Sequence, residues 1–272
     1  MKQRIISALI FIAIMLTMVL LCDETRLLFF IICTLLSCRE MKNAFRNTGH
    51  NVMIWYVYVT GVVCSALIYI GDGKEGWAFP VFMIMLVCVF GEMILANRHT
   101  VRDVLATLCV CAYPMSPLML VVYVASNQYL WAAVMLNSIL PAVVCDTFAL
   151  LGGKLFGKHK LSPHISPKKT VEGLVCGLIM GTVSGLLVHV ILKPFGRNVL
   201  PIWAEVTAAL FASLAGALGD LAASSIKREC GIKDYSNLIP GHGGMLDRID
   251  SELFAIPTVY MIYAIVQEFT KI

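Results

Sequence analysis

Acidic, basic and glycine residues are concentrated in the stretch 219–250, which lies between two strongly apolar segments. If a helix continues past Asp220, then Asp220, Ser224, Lys227 and Arg228 fall at i, i+4, i+7 and i+8 and share one face of it. Charge of this density at the edge of a membrane is costly and is usually functional. Carboxylates beside lysine and arginine are the groups that a magnesium–polyphosphate site requires.

A glycine turn precedes two more acids. Asp247 and Asp250 lie three residues apart at the start of the last apolar segment, directly after Gly243 and Gly244. Backbone N–H groups beside glycines are unhindered and can face an anion. Mg²⁺ takes one or two carboxylates and completes its shell with phosphate oxygens and water. Zinc fits poorly, because no cluster of cysteine and histidine accompanies the acids.

A second polar block begins at Asp146, which lies near the end of an apolar run, where an unpaired acid is costly. The segments G-K-L-F-G-K-H-K (153–160) and S-P-K-K-T-V-E-G (166–173) follow it. Pro167 suits the first turn of a helix, and Ser166 suits its cap. The block is not a P-loop, because the strand and the Gly-Lys-Ser/Thr ending are missing. A basic loop followed by a capped helix remains the alternative.

The stretch 224–250 resembles the signature of the phosphatidate cytidylyltransferase (CDP-diacylglycerol synthase) family. The pattern is Ser-x-Ile-Lys-Arg, four residues, Lys-Asp-x-Ser, two residues, and Ile-Pro-x-His-Gly-Gly-Met-x-Asp-Arg-Ile-Asp, and every defined position is present. The segments 153–160 and 166–173 resemble another block of the same family. The resemblance implies an enzyme that transfers a cytidylyl group from CTP to phosphatidate in the bilayer and releases pyrophosphate.

The resemblance also implies roles for particular residues. The expected catalytic residues are Asp220, Asp247, Lys227 and Arg228. The expected substrate-binding residues are Ser166, Lys169, Thr170, Ser224, Lys233, Asp234, His242, Gly243, Gly244 and Arg248. The expected Mg²⁺ ligands are Asp220 and Asp247, with Asp146 and Asp250 as further candidates. The family allows a K⁺ ion as well and implies a homodimer. A phosphate monoester is largely ionised at neutral pH, so no general base is expected.

The composition indicates an integral membrane protein. Of the 272 residues, 59% are apolar and 14% are charged, and the mean hydropathy is +0.82. A soluble domain is less apolar and more highly charged. The net charge of +4 is too small and too dispersed to indicate binding to nucleic acid. The ten cysteines fall mostly inside apolar runs without metal-finger spacing, so they are expected to be packing residues.

Apolar runs predict an all-α, polytopic membrane helix bundle of about nine spans. Eight runs are long enough to cross the hydrocarbon: 5–22, 52–70, 77–96, 104–125, 130–151, 171–192, 201–223 and 252–269. The run 27–38 is short, and the N-terminus lies outside if it crosses and in the cytoplasm if it does not. No small-x-small cleavage site follows 5–22, which is therefore expected to be a retained helix.

The distribution of basic residues predicts the orientation. Most lysines and arginines lie in loops that include 152–170 and 224–251, so both loops are expected on the cytoplasmic side. The active site is then expected at the cytoplasmic membrane boundary. We expect a bacterial plasma membrane protein, because no organellar transit segment is present. Residues 1–140 are interpreted as a transmembrane scaffold and 141–272 as the catalytic region.

Other features have more than one reading. Gly173, Gly177, Gly181 and Gly185 recur every four residues and predict close helix packing. Two acids in the first half, Glu92 and Glu40, are either satisfied polar contacts or site residues. Two other functions fit a polytopic chain with buried charge. They are a CTP-dependent lipid kinase of the polyprenol or phytol type, and a transporter, which would place charged residues near mid-membrane in repeat-related halves.

Overall fold

The computed structural model describes residues 23–71, 73–195, 200–239 and 243–270. The predicted first span, 5–22, lies outside the described residues. Helices dominate the described part, as the apolar runs predict. They are α1 (Asp23–Asn47), α2 (Ile54–Ile70), α3 (Ala78–Ala96), α4 (Val101–Val110), α5 (Ser116–Ser126), α6 (Gln128–Phe156), α7 (Val171–Leu192), α8 (Ile202–Glu229), α9 (Leu246–Ile249) and α10 (Glu252–Thr270). Short 3₁₀ turns occur at Glu75–Trp77 and Lys193–Phe195.

Six helical stretches in the described residues are long and apolar enough to cross a membrane. They are Ala78–Ala96, Val101–Ser126, Leu130–Phe156, Val171–Leu192, Ile202–Glu229 and Leu246–Phe269. These stretches confirm a helical membrane protein and match six of the predicted runs. The predicted run 52–70 corresponds to the shorter apolar helix α2. The short run 27–38 is part of the 25-residue helix α1, which is not one of the six.

Large apolar side chains on these helices face outward. On α3, Phe79 is 68% exposed, Val87 is 73% exposed and Leu95 is 88% exposed. So much apolar surface on one helix would be unusual in water, whereas hydrocarbon accommodates it at no cost. The exposed surface of α3 therefore agrees with a position against lipid.

The described helices belong to two compact units. One contains the chain up to Ser126 together with Lys227–Arg248, and the other contains Asn127–Ile226 and Ile249–Ile272. The division predicted from the sequence, at residue 140, concerned function and stays a prediction.

In the first unit, α4 and α5 form one stretch that is bent between them. The residues between the two helices, Cys111–Met115, form a π-helical turn that contains Pro114, and Tyr113 has non-helical φ and ψ angles. Proline has no N–H to donate and disturbs the preceding turn, which accounts for the bend. Arg26 of α1 donates to the carbonyl oxygen of Ala125 at 2.9 Å and joins α1 to the end of α5.

In the second unit, the predicted glycine stripe is a packing surface. A Cβ atom at Gly177 would lie 2.5 Å from the carbonyl oxygen of Cys145, and one at Gly185 would lie 2.7 Å from the Cβ of Ala209. Glycines therefore let α7 approach the backbones of α6 and α8, as the sequence predicted. The hydroxyl of Tyr263, in α10, accepts a 2.8 Å hydrogen bond from the amide of Asn137 and joins α10 to α6.

One local prediction was wrong. The segment Ser166–Thr170 is a strand that pairs antiparallel with Lys160–Ser162, so Ser166 and Pro167 do not begin a helix. The cap of α7 is Thr170, whose hydroxyl accepts the N–H of Gly173 at 3.1 Å. Threonine is also a favoured N-cap residue, and the pairing with Lys160–Ser162 keeps the preceding residues extended. In the part of the chain that the structure describes, the fold is thus helical with one small hairpin, rather than purely helical.

Candidate active site

A cavity of about 610 Å³ lies within the second unit. Its walls come from the last turns of α6, the hairpin, the first turns of α7 and the second half of α8. Its polar lining side chains are Asp146, Lys154, Lys160, Ser166, Lys168, Lys169, Thr170, Asp220 and Ser251. This volume lies in the range of pockets that enclose a ligand of nucleotide size. We call it the lysine cavity.

The charges in the lysine cavity favour an anion. Four lysines face two carboxylates, Asp146 and Asp220. The ammonium group of Lys169 donates to the Asp220 carboxylate, to which the Ser224 hydroxyl also donates at 3.4 Å. Pairing one lysine with one acid leaves an excess of positive charge, which a polyphosphate would neutralise.

The lysine cavity also has an apolar wall. It is formed by residues that include Ala142, Cys145, Ala149, Leu150, Leu161 and Leu174. A pocket with a charged part and an apolar part suits an amphiphilic ligand, whose headgroup and chains need different surroundings.

Backbone packing holds the lysine-bearing segment in place. A Cβ atom at Gly157 would lie 2.2 Å from the Gly153 carbonyl oxygen, and one at Gly153 would lie 2.8 Å from the Thr170 hydroxyl. The carboxylate of Glu172 accepts the backbone N–H groups of Lys158 and His159 at 3.0–3.2 Å. These contacts connect the end of α6 to the start of α7 and fix the segment between them.

The second polar cluster lies in the first unit, in the segment Lys227–Arg248. Asp247 is buried, and its Oδ1 accepts a 2.7 Å hydrogen bond from the ammonium group of Lys227. Its Oδ2 accepts the N–H groups of Tyr235 at 2.8 Å and Gly244 at 2.9 Å. Lys227 also lies 5.4 Å from the centroid of the Tyr235 ring, within cation–π range. Asp247 therefore connects Lys227, Tyr235 and Gly244 and stabilises the conformation of this segment.

The adjacent glycines are required by the local geometry. Gly243 has a φ of +81°, and a Cβ there would lie 2.8 Å from the Asp247 carboxylate. A Cβ at Gly244 would lie 2.5 Å from Oε1 of Glu40. The sequence suggested that these glycines expose N–H groups to a bound anion, but the N–H of Gly244 donates to the protein's own Asp247 carboxylate. Binding of a substrate anion at Gly243 stays a prediction.

Other predicted site residues are exposed in the same segment. Arg228 donates to the carbonyl oxygen of Ile232 at 3.1 Å, and Lys233, Asp234 and Arg248 are exposed. His242 lies outside the described residues. Asp250, in the other unit, is half-buried, and its Oδ1 accepts the N–H of Ser251 at 2.8 Å. It lies in the short connection between α9 and α10.

The structure thus brings five predicted residues to one cavity: Asp146, Ser166, Lys169, Thr170 and Asp220. It pairs two more, Lys227 and Asp247. The predicted site residues did not include Lys154, Lys160 or Lys168, and Glu40 was predicted to be either a satisfied polar contact or a site residue. The lysines belong to the recognised G-K-L-F-G-K-H-K and S-P-K-K-T blocks, which was a usable signal. Glu40 gave only a weak signal, a carboxylate at the end of an apolar run.

The donor set of the lysine cavity fits Mg²⁺. Two carboxylates, Asp146 and Asp220, line it beside hydroxyl groups. In the part of the chain that the structure describes, no three His, Cys, Asp or Glu side chains come together as a metal site. Mg²⁺ does not need such a group, since phosphate oxygens and water complete its shell.

Comparison with known proteins gives a consistent result. A family model described as "Cytidylyltransferase family" matches residues 2–266. A protein of Staphylococcus haemolyticus (strain JCSC1435), named phosphatidate cytidylyltransferase, is 34% identical over 94% of this chain and 96% of its own length. Proteins with the same name from Staphylococcus saprophyticus (strain ATCC 15305) and Staphylococcus aureus (strain COL) are 30% and 31% identical, with the same coverage.

Proposed function

Because the chain belongs to the cytidylyltransferase family, we propose that it transfers the cytidylyl group of CTP to phosphatidate and that the lysine cavity holds the reacting phosphates. The products are CDP-diacylglycerol and pyrophosphate. The observation that carries the assignment of the site is the composition of the cavity, in which four lysines and two carboxylates lie beside an apolar wall.

The lysine cavity supplies the charge that the substrates need. CTP carries a triphosphate and phosphatidate a phosphate monoester, so their approach brings several negative charges together. Lys154, Lys160 and Lys168 provide cations in addition to Lys169, which is paired with Asp220. The apolar wall suits the glycerol and proximal acyl region of a lipid whose chains remain in the bilayer.

The reaction needs positioning more than proton transfer. An oxygen of the phosphatidate phosphate attacks the α-phosphorus of CTP in line, the bond from the α-phosphorus to the bridging oxygen breaks, and pyrophosphate leaves with that electron pair. Because the attacking phosphate is already ionised, no side chain has to remove a proton. The lysines neutralise and orient the phosphates, and this accounts for most of the expected rate enhancement.

Magnesium is part of the proposal. Asp146 and Asp220 would hold Mg²⁺, since both line the lysine cavity. A bound Mg²⁺ would act as a Lewis acid toward the phosphate oxygens. A K⁺ ion, which the family resemblance allows, is a further proposal.

Asp247 has a different environment from Asp220. Its two oxygens already accept three hydrogen bonds, which suits a group that orients Lys227 and the glycine turn. Its role as a metal ligand stays a prediction, as do the contacts of Arg228, Lys233, Asp234, His242 and Arg248 with substrate. Asp250 likewise remains a candidate ligand.

The location of the enzyme is also proposed. Basic loops at 152–170 and 224–251 support a bacterial plasma membrane enzyme of nine spans with its active site at the cytoplasmic boundary. Such a position would admit water-soluble CTP from one side and the lipid from the bilayer. The homodimer implied by the family resemblance is a further proposal.

The deciding experiment uses purified protein in detergent with phosphatidate, Mg²⁺ and CTP labelled separately at the α- and γ-phosphates. We expect α-label in the lipid and release of pyrophosphate. γ-Label in the lipid with release of CDP would instead establish a kinase. Absence of transfer to any lipid phosphate or alcohol would favour a transporter.

A further inference from the structure

The carboxylate of Glu40 is buried against a segment that lies about two hundred residues away in the chain. Glu40 belongs to α1, and its residue is only 5% exposed. Its Oε1 accepts the Ser236 hydroxyl at 2.6 Å and the Met245 N–H at 2.9 Å, and its Oε2 accepts the Leu246 N–H at 2.7 Å. One side chain thus binds Ser236 as well as the backbone at Met245 and Leu246.

These contacts are more specific than packing requires. Burying a carboxylate is costly unless hydrogen bonds replace its water, and here three donors do so. The backbone at Gly244 passes so close that a Cβ there would lie 2.5 Å from Oε1 of Glu40. The same residue, Gly244, donates its N–H to Asp247. Glu40 and Asp247 therefore accept the N–H groups of two successive residues, Met245 and Gly244.

We propose that Glu40 is a positioning residue for cytidylyl transfer: it fixes Ser236 and the backbone at Met245 and Leu246 and, through them, the orientation of Asp247 and Lys227. Its helix, in the part of the chain interpreted as scaffold, then contributes to the active site without touching substrate. The proposal rests on the proposed function, because it takes Asp247 and Lys227 to act in the reaction.

Two substitutions separate the contacts. Glu40→Gln keeps the size of the side chain but leaves an amide NH₂ facing at least one backbone N–H, so at least one acceptor is lost. Ser236→Ala removes one donor to Glu40, together with the acceptor of the Leu238 N–H at 3.2 Å, and leaves both backbone contacts of Glu40 in place. Glu24→Gln is the matched control, because Glu24 lies in the same helix and is exposed.

The first measurement is hydrogen–deuterium exchange of the full-length protein in detergent, followed by mass spectrometry of peptides that cover residues 235–247. Loss of a hydrogen bond to a charged group should speed exchange of the Met245 and Leu246 amides by about tenfold or more in Glu40→Gln. Glu24→Gln should exchange like the wild type. Unchanged exchange in Glu40→Gln would overturn the proposal. This measurement does not depend on catalysis, so it remains informative if the proposed function fails.

The second measurement is steady-state turnover per folded molecule, using the monodisperse fraction of each variant. We expect kcat to fall roughly 10- to 100-fold in Glu40→Gln, with a much smaller change in KM for CTP. In Ser236→Ala we expect kcat to fall by about threefold. Faster exchange with an unchanged kcat would show that Glu40 only packs, and the proposal would be wrong.

Two further outcomes are decisive. If Glu40→Gln does not fold, Ser236→Ala decides: an unchanged kcat together with unchanged exchange overturns the proposal, and a reduced kcat with faster exchange supports it. If Asp247→Asn and Lys227→Met both turn over normally, the assignment of those two residues to the reaction is wrong. The exchange result for Glu40 then still reports on the contact itself.

Discussion

At the scale of single residues, the two acid–lysine pairs differ in burial. The Lys227 and Asp247 side chains are 10% and 3% exposed, whereas those of Lys169 and Asp220 are 26% and 29% exposed. Water screens the second pair and leaves it accessible to an incoming ligand, while the first is enclosed by protein. The two pairs therefore suit different tasks. Asp220 can exchange Lys169 for an incoming ligand, whereas Asp247 holds Lys227 in a fixed orientation.

Replacing Lys227 by methionine should destabilise the protein more than the same change at Lys169. Lys227→Met leaves a buried carboxylate without its cation, which costs about 3–5 kcal/mol, whereas a half-exposed pair contributes on the order of 1 kcal/mol. Thermal unfolding in detergent, followed with a cysteine-independent probe, should show the larger loss of Tm for Lys227→Met. Equal losses would contradict the distinction between the two pairs.

Replacing Asp220 by asparagine should remove most of the activity. The change deletes a proposed Mg²⁺ ligand and the partner of Lys169, and we expect kcat to fall by about 100-fold or more. The Mg²⁺ concentration needed for half-maximal rate should rise. Glu229→Gln is the control, because Glu229 is an exposed residue at the end of the same helix. Near-normal turnover of Asp220→Asn at ordinary Mg²⁺ would remove Asp220 from the site.

Single residues also show which contacts can be predicted from the sequence and which cannot. Asp220 and Ser224 contact each other because a helix continues past them, which their spacing predicted. Helical periodicity is local, so the sequence displays it directly. One partner of Glu40, Met245, is 205 residues away in the sequence, and no local pattern predicts such a contact. The same limit applies to Lys169, whose partner Asp220 is 51 residues distant.

At the scale of elements, sequence patterns predicted helices better than the connections between them. Six long apolar runs and the glycine stripe of α7 were interpreted correctly, because burial in lipid and close helix approach act on whole helices. The hairpin at Lys160–Thr170 was missed. Ser-Pro is a common helix start, and only pairing with the preceding residues shows that it is extended here.

Close packing of the glycine stripe predicts that alanine is tolerated less well at Gly177 than at a glycine with open space around it. A Cβ at Gly177 would lie 2.5 Å from the Cys145 carbonyl oxygen, a backbone atom that cannot move aside cheaply. Gly177→Ala should therefore lower stability by about 1–3 kcal/mol through overpacking. Gly91→Ala is the matched control, because nothing lies within 4 Å of a Cβ there, and alanine favours a helix by up to about 1 kcal/mol. Thermal unfolding should show a lower Tm for the first variant and an equal or higher Tm for the second. A Tm for Gly177→Ala at or above wild type would contradict close packing of α7 on α6.

At the scale of the whole molecule, the proposed chemistry requires that both polar segments face the compartment that contains CTP. The lysine cavity draws on the loop 152–170, and the Asp247 cluster on the loop 224–251. An even number of membrane crossings must therefore separate the two loops, and the spans 171–192 and 201–223 provide two. The positive-inside bias predicts that both loops lie in the cytoplasm.

Labelling of single cysteines tests this topology in sealed inside-out vesicles. In a variant whose ten native cysteines are replaced, His164→Cys and Asn237→Cys should both react with a membrane-impermeant maleimide, because both positions are exposed and lie in the two loops. Lys74→Cys, in the exposed connection between α2 and α3, should react only after the vesicles are opened. Each variant should keep the turnover of its cysteine-free parent, since none of the three residues belongs to the proposed site. Opposite labelling of His164→Cys and Asn237→Cys would place the two loops on different sides of the membrane. The lysine cavity and the Asp247 cluster could not then serve one reaction.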